Sequence, residues 1–474
     1  VSLDQGERPT TRERILERVP ERFRDRAAGQ IEEPPDIPLA EFGQPRALLR
    51  ATSRLPLVGP LRPKTWKSPL RGSWTTAIFA FVLLVGLPVV TITGLLSYIA
   101  YQPQFHQAIP GNVGFLHLPY FLWPTRPVWL YRFTQGLHVT LGIALIPVVL
   151  AKLWSVIPKL FTFPPARSLF QLLERASLLL LVGSILFELV TGVLNIQYDY
   201  VFRFDFYTAH YYGAWVFVFA FLVHVLIKFP AMRRGLRSRS LRKELATDLA
   251  HTEPEAFVPD GLAAEFPEKP TLSRRGLLAI VGGASALLTV FTIGDTVGNP
   301  LRFTAIFSPR GQSYSGGRGH FQVNRTAHAA RITDDETGAA WRLVITGLHG
   351  QQLELSRTEL LSMPQVTQGL PIACVEGWST EQHWTGVRLR DLAAMVGITK
   401  AQTAFVTSLE KSGAFRHVTL GSDAVRDEKS LLALKVAGLD LLPDHGYPAR
   451  VIVPALPGVH NTKWVSTITF TGSA

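Results

Sequence analysis

Five stretches of about twenty residues in this chain are almost wholly apolar. They lie near Ala77–Ala100, Gly136–Ile157, Ala176–Ile196, Tyr211–Phe229 and Gly276–Gly294. A helix rises about 1.5 Å per residue, so each run is long enough to cross the hydrocarbon of a bilayer. The pattern predicts five transmembrane helices, the first two bent at Pro88 and Pro147, where neighbouring helices satisfy the freed carbonyls. Beyond the fifth run the period changes. Short β-like runs at Arg342–Ile345, Ala404–Thr407, Arg450–Val453 and Val465–Phe470 are separated by helical patterns such as Leu389–Val396. They predict a mixed α+β domain of about 150 residues.

Charge divides the chain further. The net charge of +12 would suit nucleic acid, but the basic residues cluster beside the apolar runs, where membrane topology alone accounts for them. No nucleic-acid partner is expected. The chain reads as an Arg-, Glu- and Pro-rich flexible arm (1–73), a four-helix unit (74–230), a polar linker (231–273), a fifth helix (274–298), a tether (299–320) and a globular domain (321–474). The arm, Lys159 with Arg167, and Arg233-Arg234 through Arg242-Lys243 fall on one side of the membrane. The opposite loops carry little beyond Arg126 and Arg203, with Trp123, Trp129 and Tyr131 as an interfacial belt in contact with lipid. The positive-inside rule places the N-terminus in the cytoplasm, and five crossings place the globular domain outside it.

Three histidines fall within or at the ends of the apolar runs, where an unpaired polar ring is costly. His138 lies near the outer end of the second run and His210 near that of the fourth, with His224 deeper in the same helix. Fourteen residues make nearly four turns, so His210 and His224 share a face roughly 21 Å apart. Hydrogen bonding within the bundle is the plain use of each; ligation of stacked haems is the chemical one. His106 and His117 lie in an outer loop and read as solvated or interfacial. Glu188 belongs to the third run and faces the bundle interior, as a proton carrier for a quinone or as a hydrogen-bond partner of a neighbour.

The run Leu370-Pro371-Ile372-Ala373-Cys374-Val375-Glu376-Gly377-Trp378 holds the single cysteine of the chain, so no internal disulfide is possible. An apolar segment delivers the thiol and Glu376-Gly377-Trp378 turns the chain after it. His445-Gly446-Tyr447-Pro448-Ala449-Arg450 and Lys463-Trp464 follow in order. Together these motifs resemble the molybdenum-cofactor domain of the sulfite oxidase family, which includes bacterial periplasmic methionine-sulfoxide reductases. The resemblance implies that Cys374 is the catalytic metal-binding thiolate on a molybdenum-molybdopterin cofactor, sulfur being a soft donor. It further implies that His445, Arg450, Lys463 and Trp464 contact the pterin and its phosphate, with Asn324 and Arg325 at the first cofactor contacts. Trp378, His383 and Trp384 either line the pocket or pack the core. A nucleophilic-cysteine hydrolase would need a nearby base, and no local pattern supplies one.

The segments Gln135-Gly136-Leu137-His138 and His210-Tyr211-Tyr212 through His224 resemble the di-haem cytochrome b subunits of membrane-bound formate dehydrogenases and hydrogenases. That family completes its inner haem with a histidine on the first helix, and this first run has none. One haem b held by His138 and His210 is therefore expected, with an inner haem at His224 left open. The fold class expected is a multi-domain chain: an α-helical membrane bundle of four helices plus a fifth anchor helix, followed by an α+β sulfite-oxidase-like molybdopterin domain.

Sulfite oxidases carry an arginine soon after the ligating cysteine, where this chain has Val375-Glu376-Gly377-Trp378. The resemblance thus favours an oxidoreductase of a prokaryotic cell membrane that takes electrons from quinol and reduces an S-oxide or N-oxide, methionine sulfoxide first. Sulfite-type oxidation with electrons delivered to quinone uses the same parts. A non-enzymatic membrane protein with a binding module of this fold is the reading from another class. Leu272-Ser273-Arg274-Arg275-Gly276-Leu277-Leu278 resembles a twin-arginine export signal, which suits cargo that folds around its cofactor before crossing. Replacing the pair (Arg274→Lys with Arg275→Lys) is expected to leave the final domain inside the cell, checked by protease access to intact cells.

Overall fold

Each apolar run forms a helix in the computed structural model, which describes residues 65–109, 111–112, 121–161, 169–197, 200–258, 261–298, 301–308 and 317–474. Most of the N-terminal arm, Arg167 and His117 lie outside the described residues. The principal helices of this part of the chain are α1 (Ser73–Ala100), α2 (Leu130–Ala144), α3 (Ile146–Leu160), α4 (Leu169–Asn195), α5 (Phe206–Ser238), the short α6 (Leu241–Ala246) and α7 (Arg274–Val297). With α2 and α3 counted as one interrupted span, five helices among the described residues are long and apolar enough to cross a membrane. The interruption at Leu145 precedes Pro147, which opens α3 where its missing N–H costs least. Pro88, by contrast, lies within a continuous α1.

Phe79, Leu87, Leu145, Val148, Ile185 and Phe217 pack the centre of the bundle. The outward positions stay apolar: Phe219 is 69% and Leu226 78% exposed. Such surface is unfavourable in water and is at home against lipid chains.

The described residues that flank the bundle make specific contacts with it. Arg71, expected in a flexible arm, is buried; it donates from Nε to the Trp154 carbonyl at 3.1 Å and lies over the Trp154 and Trp66 rings. In the stretch read as a linker, α5 runs on to Ser238 and Glu255 returns to α1. Its carboxylate accepts from the backbone N–H of Ser73 at 2.6 Å and of Trp74 at 3.0 Å, supplying a cap that Gly72 has no side chain to give. Arg274, the first of the paired arginines, is 2% exposed and meets Glu244 at 3.4 Å. It therefore has a structural place in the folded chain.

The globular domain holds ten strands: β1 (Arg342–Thr346), β2 (Gln352–Ser356), β3 (Val366–Ala373), β4 (Ser379–Arg388), β5 (Lys400–Ser408), β6 (His417–Gly421), β7 (Leu431–Val436), β8 (Leu439–Asp440), β9 (Arg450–Ile452) and β10 (Val465–Ser473). One sheet runs β2-β1-β10-β5-β6, with β1 and β10 parallel. The other runs β3-β4-β7-β8, with β9 pairing β7. Strand β5 buries Ala404, Val406 and Ser408 on one face, which supplies the core, and exposes Phe405 on the other. Strand β7 is apolar on both faces and buried throughout its first four residues.

Polar contacts seat this domain on one end of the bundle. Trp123 Nε1 donates to the Ala455 carbonyl and Thr125 Oγ1 to Asp427 Oδ2, both at 2.7 Å. Truncating the remote cap, Glu255→Ala, leaves two helix N–H groups without their partner. About 1–2 kcal/mol of stability should be lost, read as a lower unfolding temperature in detergent.

Candidate active site

Strand β3 is buried from Leu370 to Ala373, and its pairing with β4 ends where Ala373 meets Ser379. Cys374 begins the turn between them. The turn is closed by Cys374 N–H to the Trp378 carbonyl at 2.9 Å and Gly377 N–H to the Cys374 carbonyl at 3.1 Å. Gly377 has φ +96°, a conformation any side chain would strain. Cys374 is 6% exposed, and its sulfur receives a hydrogen bond from Asn324 Nδ2 at 3.5 Å, a contact that favours a thiolate.

Cys374 lines a cavity together with Asn324, Arg325, His445, Arg450 and Lys463, so six residues expected at the cofactor share one site. Trp378 lines it as well. Trp464 is placed elsewhere: its fully buried indole packs on Ala327 and Ala330, donates to the Pro443 carbonyl at 2.7 Å and supports the Lys463 ammonium from below. His383 does not line the cavity, and Trp384 is a core residue whose Nε1 donates to the Leu370 carbonyl.

The electrostatics follow from burial. His445 stacks on Phe321 with ring centres 3.7 Å apart, and its Nε2 accepts from the Phe321 N–H at 3.4 Å. Burial first, then the charges of Arg450 and Lys463, push its pKa down to about 3. The ring is thus neutral, with its proton on Nδ1. Arg450 donates to the carbonyls of Asn461 and His445, each at 3.2 Å, and burial lowers its pKa to about 9. Lys463 donates to the carbonyls of Arg325 and Asp444. Burial and then Arg450 lower its pKa to about 7. Arg325 is paired with Glu410 at 3.2 Å.

These residues fit a large polar cofactor. His445 Nδ1, Asn461 Nδ2 and Thr462 Oγ1 are buried without a hydrogen-bond partner, and all three residues line the Cys374 cavity. An orphaned buried donor costs about 1–3 kcal/mol, and a pterin with its phosphate offers the matching acceptors. Asn461 and Thr462 escaped the sequence reading although they directly precede Lys463. Tyr101, which also lines this cavity, comes from the bundle and carries no local sequence signal.

A second cavity lies inside the bundle, lined by His138 and His210 with apolar walls that include Leu87, Leu95 and Ile146. The two rings stand 6.3 Å apart between centres and nearly perpendicular, at 82°. His138 Nδ1 bonds to the Val90 carbonyl at 2.9 Å. His210 Nδ1 lies 3.1 Å from Thr191 Oγ1 and 3.0 Å from Glu188 Oε2. Fixing Nδ1 in this way leaves Nε2 as the ligating atom, the usual support for a metal-bound imidazole. Gly94, Gly142 and Gly192 also line the cavity, keeping its walls free of side chains where a flat macrocycle would lie. The residues therefore fit a haem. Glu188 turns out to be a partner of His210. His224 does not line this cavity, and His106 meets Tyr98 Oη at 3.3 Å instead of entering it.

Residues 328–474 match the family described as the oxidoreductase molybdopterin binding domain. An uncharacterized oxidoreductase, YuiH of Bacillus subtilis (strain 168), is 32% identical over 30% of this chain and 72% of its own length. The protein-methionine-sulfoxide reductase catalytic subunit MsrP of Campylobacter jejuni is 26% identical over 43% of this chain and 75% of its own. The putative protein-methionine-sulfoxide reductase subunit YedZ1 of Azospira oryzae is 28% identical over 30% of this chain, which spans 54% of that protein. Arg450→Met would strip two buried carbonyls of their donor. Loss of about 1–3 kcal/mol of stability and a lower molybdenum content by metal analysis are the expected outcomes.

Proposed function

Because this chain belongs to the molybdopterin-binding oxidoreductase family, we propose that it is a membrane-anchored reductase of S-oxides or N-oxides, methionine sulfoxide first, driven by quinol through one haem b. Its bundle crosses a prokaryotic cell membrane with the N-terminus in the cytoplasm and the cofactor domain outside. The observation that carries this reading is the pairing of two cavities in one body, one at a buried thiol and one at two histidines whose Nδ1 atoms are already engaged.

Cys374 would hold molybdenum and Asn324 would keep its sulfur anionic. His445, Asn461 and Thr462 would hydrogen-bond the pterin, while Arg325, Arg450 and Lys463 face its phosphate. The bound cofactor supplies oxygen-atom transfer coupled to two electrons. His138 and His210 would hold a haem, which would supply electrons singly, with Glu188 and Thr191 fixing the orientation of the His210 ring. The net reaction is R2SO + 2 H⁺ + 2 e⁻ → R2S + H2O. The turn beside Cys374 lines the cavity with Val375 and Trp378, while the buried Glu376 lies outside that lining and its carboxylate accepts from Trp378 Nε1 at 3.0 Å. A turn with an acid and no cation suits a neutral sulfoxide better than a sulfite dianion. The relatives whose names specify methionine-sulfoxide reduction support the same choice of substrate.

Purified protein should contain molybdenum and a dithionite-reducible b-type haem. It should reduce sulfoxides with a reduced viologen as donor. Cys374→Ser is expected to abolish turnover with the haem spectrum intact, and His138→Leu to remove the haem signal. Undiminished turnover in the Cys374 variant would reject the assignment.

A further inference from the structure

The two cavities share a wall. Tyr101 and Val375 each line both of them. Tyr101 follows the last residue of α1 and is 1% exposed, although it ends a helix in the bundle. Its ring meets Tyr207 with centres 5.6 Å apart, Phe415 at 6.0 Å and His460 at 6.2 Å, and Tyr207 in turn meets Phe415 at 5.4 Å, so these aromatic rings form one cluster around it. Tyr207 precedes His210 by three residues on α5, and residues three apart occupy one face of a helix. The second crossing has the same layout. Gln135 precedes His138 by three residues on α2, and its Nε2 donates to the Val375 carbonyl at 2.7 Å. Val375 is bonded to Cys374.

Each histidine of the pair thus has, one turn away, a side chain that reaches the wall. We propose that this wall is the electron bridge between the two sites, with the Tyr101 ring as its main member and the Gln135–Val375 hydrogen bond as its second. The proposal rests on the function put forward above, with a haem at the histidines and molybdenum at Cys374. Two single-electron transfers across the wall serve each sulfoxide reduced. Quinol is oxidised on the haem side, the sulfoxide is reduced on the Cys374 side, and two protons end in the water released. Packed and bonded atoms carry a tunnelling electron better than a gap does, and the interior here is close-packed. Tyr101→Leu would leave a void where the ring now spans the wall.

The test uses full-length protein loaded with both cofactors. The haem is reduced anaerobically, mixed with methyl p-tolyl sulfoxide, and its reoxidation followed by stopped-flow absorbance. Viologen-driven sulfoxide reduction is measured in parallel, so that each haem rate is divided by the viologen rate of the same variant. Tyr101→Leu should lower that ratio by roughly tenfold or more, and Gln135→Leu by a smaller factor. Tyr101→Phe keeps the ring and should stay within about twofold of the parent. The haem spectrum and midpoint potential should be the same in all three, because none of these residues ligates iron.

An unchanged ratio in Tyr101→Leu overturns the bridge. So does Tyr101→Phe if it is as slow as Tyr101→Leu, since the hydroxyl and not the ring would then matter. Wild-type protein that contains both cofactors but whose haem stays reduced on adding sulfoxide defeats the underlying function, and the bridge with it.

Discussion

The carbonyl of Val375 accepts a hydrogen bond from Gln135, and this contact joins the turn that bears Cys374 to the helix that bears His138. A second bond does the same from the other side, Thr296 Oγ1 at the end of α7 donating to the Gly377 carbonyl at 2.9 Å. Ser379 Oγ donates back to the Thr296 carbonyl. The thiol-bearing turn is therefore built as much by the helices as by the sheet that delivers it. Moving the globular domain off the bundle would release three of the contacts that shape the cofactor site.

This arrangement explains which parts of the molecule could be read from the chain. Long apolar runs reveal helices because the bilayer demands a continuous stretch, and all five appear close to where the pattern places them. Strands β1, β5, β9 and β10 match short alternating or apolar runs. Motifs confined to a few residues, such as Cys374 with its turn or His445 through Arg450, also show locally. The remainder depends on distant pairs. Tyr101 reaches the Cys374 cavity from outside the matched region, and Glu255 caps a helix that begins 182 residues earlier. Neither relation leaves a trace in spacing. Trp464 is adjacent to Lys463 in sequence, and its indole packs into the core and supports the neighbouring ammonium.

The cations of the Cys374 cavity are stripped of water and solvated by the backbone instead. Arg450 is buried at 6% exposure, and Lys463 loses much of its hydration, its pKa pushed down to about 7. Backbone carbonyls of His445, Asn461, Arg325 and Asp444 solvate both groups. Carbonyl dipoles hold a cation in place without cancelling its charge, as a carboxylate would. Positive charge kept in a low-dielectric pocket is a standing attraction for an anion such as a phosphate. Arg325, by contrast, is balanced by Glu410.

The cap that Glu255 places on α1 has a consequence for how the molecule is made. The two N–H groups it satisfies are synthesised some 180 residues before their partner. During that interval four spans emerge from the ribosome, and the start of the first remains open at the membrane surface. Closure arrives only with the segment between the fourth span and α7, so the end of the bundle where α1 begins is sealed late, by chain made after four spans are complete.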